Sequence, residues 1–124
     1  MSLAEYFENT KGTGVLATAD SDGNVDVAVY ARPHFENEQT VAFIMSQRLS
    51  YSNVQSNANA AYMFIEDGTG YKGKRLYLTK IKEDDDEQLI ASVRRHSPRH
   101  RPEDTTKKYL VYFRIDKVRP LVGD

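Results

Sequence analysis

The 124-residue sequence predicts a mainly β domain, a six-stranded antiparallel barrel or curled sheet with a few short helices. Three observations lead there. Apolar and polar residues alternate in "VDVAVYA" (25–31) and again in "KKYLVYFRIDKV" (107–118), which is the period of a strand. Asp22-Gly23 stands between two such runs and is a strong hairpin signal. Most links between the runs are too short for the crossover that a parallel pair requires. The length suggests one domain over residues 1–124.

The elements follow in order. Ser2 and Glu5 have the spacing of a capping box, so a helix is expected over residues 2–10, ending near Gly12. "TGVLATAD" reads as a strand, and "SDGN" as its turn. In the returning strand Val25, Val27 and Val29 share one face, and Asp26, Ala28 and Tyr30 the other. Pro33 stops that strand. "QTVAFIMS" is a third strand, Ser50 caps a short helix over 50–56, and "AAYMFIED" is a fourth strand. "GTGYKG" is a flexible turn before a fifth strand, "KRLYLTKIKE". A helix over 85–95 has acids at its start and basic residues at its end, as the helix dipole favours. After the polar loop "SPRHRPEDTT" comes a last strand, with Tyr109, Val111, Phe113 and Ile115 on one face.

Composition narrows the function. The formal net charge is −1, which argues against a general nucleic-acid binder. The absence of cysteine excludes disulfides, thiolate catalysis and Cys-ligated metals. No apolar run approaches the ~18 residues of a membrane span. The N-terminus does not read as a signal peptide, so a cytoplasmic protein is expected. His96 and His100 are separated by Pro98, which spoils the helix that a metal pair would need, and no metal site is expected. The acids "EDDDE" at 83–87 are explained by a helix start, and "RRHSPRHR" by a solvated loop. No self-sufficient catalytic constellation is present, so any enzymatic chemistry would come from a bound cofactor.

One stretch is chemically suggestive. "SQRLSYSNVQSN" (46–57) lies between two apolar runs and holds one cation, Arg48, among serines and asparagines, with no acid. Arg48 can offer a fork of hydrogen bonds, Ser50, Ser52 and Asn53 add neutral donors, and a helix start adds backbone N–H groups. Two readings stand on these residues. One is a phosphate seat, the other a capped helix beside a surface arginine.

The ordered set of segments resembles the pyridoxamine 5'-phosphate oxidase-like family, the FMN-binding split barrels, over nearly all residues. "GVLATADSDGNVDVAVY" is similar to the family's first hairpin. "TVAFIMSQRLSYSNVQSNANAAYMF" looks like its strand, phosphate turn, helix and returning strand. "GYKGKRLYLTKIKEDDDEQ" and "YLVYFRIDKVRPL" look like its later strands. Asn53 and Asn57 match the two asparagines of the family helix, while Ser50 stands at its basic position and Ala58 at its proline. The resemblance makes Arg48, two residues earlier, the substitute cation, with Ser50 and Asn53 as neutral phosphate contacts. It sets Ala28, Val29, Tyr30 and Arg32 beside the flavin ring. It implies FMN at the interface of a homodimer, and a flavin-dependent oxidoreductase acting on a small-molecule redox substrate. The alternatives are a non-catalytic flavin-binding or electron-transfer protein, and a member that holds haem or a deazaflavin. No catalytic acid or base is assigned.

Overall fold

The computed structural model describes residues 1–94 and 105–123. The order is α1 (Leu3–Asn9), β1 (Gly12–Ala19), β2 (Val25–Tyr30), β3 (His34–Asn37), β4 (Thr40–Ser46), α2 (Leu49–Ser56), β5 (Asn59–Glu66), β6 (Gly73–Asp84), α3 (Glu87–Val93) and β7 (Lys108–Pro120). The strands form one sheet in the order β2-β1-β5-β6-β7-β4-β3, antiparallel at every pairing. The expected fold class is present with seven strands rather than six. The added strand is β3, which pairs His34 with Ala42 and Phe35 with Val41. Pro33 therefore precedes a short edge strand rather than ending strand structure, and four residues with a bulge are too few to show a period.

The sheet curls round a single aromatic-rich core. Phe7 from α1, Phe43 from β4, Tyr62 and Phe64 from β5 and Phe113 from β7 belong to one buried cluster. Val111 and Phe113 of the final strand are fully buried, with Tyr109 and Ile115 packed on the same cluster. β4 is buried almost along its length. One of its faces joins the barrel core, and Ala42 on the other packs with Leu110 and Ile90 of α3. That two-sided burial is why its sequence runs apolar without alternating.

The Ser2 half of the capping box forms. Ser2 Oγ accepts the Glu5 backbone N–H at 3.1 Å and donates to the Glu5 carboxylate at 3.1 Å. Ser2→Ala is expected to cost about 0.5–2 kcal/mol, measurable by chemical denaturation. The hairpin turn is organised by Asp20, whose carboxylate accepts the backbone N–H groups of Asp22 and Asn24 and the Asn24 amide, while Gly23 takes a φ of 84°. Asp86 caps α3 by accepting from Gln88 and Leu89. The helix ends at Val93, and the "RRHSPRHR" loop lies largely outside the described residues. Among the described residues no helix is long and apolar enough to cross a membrane.

β2 is one edge of the sheet, and its alternation has an outward apolar face. Val25 is 80% exposed, and Val27 and Val29 are 66% exposed. Tyr30 turns inward and meets the Phe43 ring edge-on at 6.1 Å.

Candidate functional site

The sheet does not close on itself, and its edge strand β2 faces the end of β4 and the start of α2. A cavity of about 690 Å³ lies at this split. Asp26, Ala28, Val29, Tyr30 and Ala31 form one wall, and Ile44, Ser46, Arg48, Leu49 and Ser50 the other. The β2 wall is held from inside the barrel, because the Tyr62 hydroxyl donates to the carbonyls of Tyr30 (3.3 Å) and Ala31 (3.2 Å). Gly14 makes this possible, since any Cβ there would meet that hydroxyl.

The second wall comes from a tight exit from β4. Arg48 N–H bonds the Ser46 carbonyl at 2.7 Å, and α2 begins at the next residue. The N-cap is Arg48 and not Ser50. Its backbone is extended, and no side chain caps the helix. The start of α2 therefore presents backbone N–H groups to the cavity beside a guanidinium, a natural place for an anion. Arg48 Nη2 also donates to Thr106 Oγ1 at 3.2 Å. Ser50 sits in the first turn, buried, and lines the cavity with Tyr30. Burial raises the Tyr30 phenol above its usual range and outweighs the lowering effect of Ser50, Asp26 adds to the rise, and Tyr30 stays a neutral hydroxyl.

Five of the seven residues singled out in the sequence line the cavity: Ala28, Val29, Tyr30, Arg48 and Ser50. Arg32 and Asn53 do not. Arg32 donates to the carbonyls of Phe7 (2.8 Å) and Thr10 (3.1 Å) and clasps the end of α1, where a cation suits the helix dipole. Asn53 is buried and donates to Thr18 Oγ1 at 3.0 Å, which fastens α2 to β1. Asp26 was missed, although it shares the alternating face of Ala28 and Tyr30. It gives the cavity an acid opposite the acid-free turn. The glycine loop at 68–73 is absent from the lining.

The far side of α2 is anchored through Glu83. Its carboxylate accepts from Tyr51, from Gln55 at 2.9 Å and from Lys80 at 2.6 Å, and Tyr51 stacks on Tyr109 at 4.1 Å. Burial works to raise the Glu83 carboxyl, but bonds from Lys80, Tyr51 and Gln55 outweigh it and hold the group below its usual range. A depressed folded-state value stabilises the fold above the unfolded value, about pH 4.3. That stability is lost as the pH falls through the folded value. Thermal melting should find Glu83→Gln less stable than wild type at pH 7, with the gap closing in acid.

No family model matches the chain. No curated protein matches it either. Solved structures do. An FMN-binding protein from Syntrophomonas wolfei superposes with a TM-score of 0.79 at 14% identity, covering 98% of this chain and 84% of that one. The fold is the split barrel. An F420 reductase matches this split barrel with a TM-score of 0.71 at 15% identity, over 96% of this chain and 98% of that one. A provisionally named pyridoxamine 5'-phosphate oxidase from Lactobacillus delbrueckii matches the split barrel at 0.67 and 17% identity, over 94% and 88%. These neighbours bear out the fold class and the resemblance to pyridoxamine 5'-phosphate oxidase-like split barrels.

Proposed function

We propose that this split barrel binds FMN in the cavity at its split and serves as a flavin-dependent oxidoreductase. One observation carries the reading. The cavity joins the ring-side candidates Ala28, Val29 and Tyr30 to Arg48, Ser50 and an uncapped helix start. The residues present fit the cofactor. Arg48 and the α2 backbone would hold the phosphate, and small Ala28 leaves room beside β2. Tyr30, a neutral hydroxyl on the cavity wall beside Ser50, would donate or accept at the ring edge. Bound FMN would supply the redox chemistry. The chain's own work is to bind and orient it between the β2 wall and the start of α2. The first test is the visible spectrum of purified protein, followed by titration of the stripped protein with FMN. A colourless protein that takes up no FMN would end the proposal.

The runner-up cofactor is a deazaflavin, since an F420 reductase shares the fold and the same anion seat would serve its phosphate. Parallel titrations with FMN and F420 decide between them. Turnover with a reduced nicotinamide and an acceptor separates an oxidoreductase from an electron-transfer protein.

The same proposal includes a homodimer and a cytoplasmic setting. The exposed valines of β2 support the dimer. Cross-strand pairing continues their face through Val15 and Ala17 to Met63 and Ala61, an apolar surface that a second copy would cover.

A further inference from the structure

The cavity at the split is electrically lopsided. Of the residues that line it only Asp26 and Arg48 are charged, and they stand on opposite walls. Arg48 is at the start of α2, where the phosphate of FMN would sit. Asp26 is on β2, half-buried, two residues before Ala28 and on the same face.

Asp26 differs from several other carboxylates of the sheet. Glu83 meets Lys80, Glu36 meets Lys82 and Asp116 meets Arg114. Among the described residues Asp26 has no such cation. Its neighbours on the strand pair are neutral. Thr18 stands opposite on β1, and its hydroxyl already accepts the Asn53 amide at 3.0 Å. Ala28 offers only a methyl group. The charge of Asp26 also reaches into the cavity, where it adds to the rise of the Tyr30 phenol. A carboxylate without a cation is a poor neighbour for a phosphate. Its work is therefore on the other end of the ligand.

We propose that Asp26 lowers the reduction potential of the flavin bound at the split, by opposing negative charge on the ring. The inference rests on the flavin reading above. Two positions on one face of a strand are about 7 Å apart, so a ring laid against residues 28–30 lies within about 10 Å of Asp26. Reduction by two electrons from a reductant, with one proton taken up from water, adds one negative charge to the ring. At an effective dielectric constant of about 20, a like charge about 10 Å away disfavours that change by roughly tenfold. Arg48 does not offset this, because the phosphate it would hold already answers its charge. A lowered potential makes the reduced flavin a stronger electron donor. The acceptor that suits such a site is one that free flavin reduces poorly.

The test is the midpoint potential of bound FMN, measured by reductive titration against a reference dye, for wild type, Asp26→Asn, Asp26→Glu and Asp22→Asn. Asp26→Asn should favour the reduced form by roughly tenfold, which is a rise of about 30 mV for a two-electron couple. Asp26→Glu restores the charge and should restore the low potential. Asp22 is exposed at the hairpin turn and lies outside the cavity lining, so Asp22→Asn removes the same charge and should leave the potential unchanged. Asp26→Asn should bind oxidised FMN at least as tightly as wild type, which shows that the variant is folded. Three results would overturn the proposal while FMN still binds wild type. Asp26→Asn keeps the wild-type potential, Asp22→Asn shifts it as far as Asp26→Asn does, or Asp26→Asn melts as wild type does yet no longer holds FMN. A wild type that takes up no FMN ends the flavin reading itself, and this inference with it.

Discussion

With FMN bound as proposed, Arg48→Ala is expected to lower the affinity for FMN by roughly ten- to hundredfold and to leave riboflavin binding unchanged. The size follows from a charge-assisted hydrogen bond, worth about 1.5–3 kcal/mol. The selectivity follows from position. Arg48 stands at the uncapped start of α2, while Tyr30 and Ala28 line the opposite wall where the ring would lie. Riboflavin has the ring and no phosphate, so it reads only the second wall. Paired titrations of both ligands against both proteins check this. Equal loss for both would assign Arg48 to the fold, through its contact with Thr106, or to the ring. No loss for either would put the phosphate elsewhere.

Val27→Lys is expected to dissociate the proposed dimer. Val27 is 66% exposed on one copy, so covering it is worth about 1–2 kcal/mol. A two-fold interface counts each residue twice, and the dimer weakens by roughly thirty- to thousandfold. Sedimentation velocity across a concentration series measures it. The variant should also be more soluble as a monomer, since a lysine on an exposed edge strand discourages edge-to-edge pairing. A variant that stays dimeric would show that the copies meet through another face. A wild type that is monomeric and still binds FMN would remove the dimer from the functional reading.

What was legible in the sequence is local. Ser2 with Glu5, Asp22-Gly23 and the alternation of β2 and β7 each arise from residues a few positions apart, and each is present in the fold. The role of Arg32 was not legible. Its carbonyl partners belong to α1, more than twenty residues earlier, and only the curled sheet brings them near. Asn53 resembles a ligand donor because it lies in a polar turn, yet burial against Thr18 commits its amide to the helix–strand contact. Ser50 looks like a helix cap by type, but the chain leaves β4 so sharply that the helix starts one residue before it. Asp26 was readable as a face-mate of Tyr30. Its place in the cavity depends on how β2 is set against α2, which no local pattern encodes.

The strand order also has a consequence for how the chain folds. β4 has two neighbours, the short β3 and the final strand β7, and on the β7 side Thr40 meets its partner only at Arg114. β6 likewise waits for β7 on one side. Local hairpins such as β1–β2 can form at once. The end of β4 that carries Ser46 into the cavity gains its pairing only when the last strand arrives. Such long-range pairings must be made before they are rewarded, which places folding in the slow regime of milliseconds to seconds. During synthesis on the ribosome, the wall that bears the anion seat would be completed only after β7 has emerged.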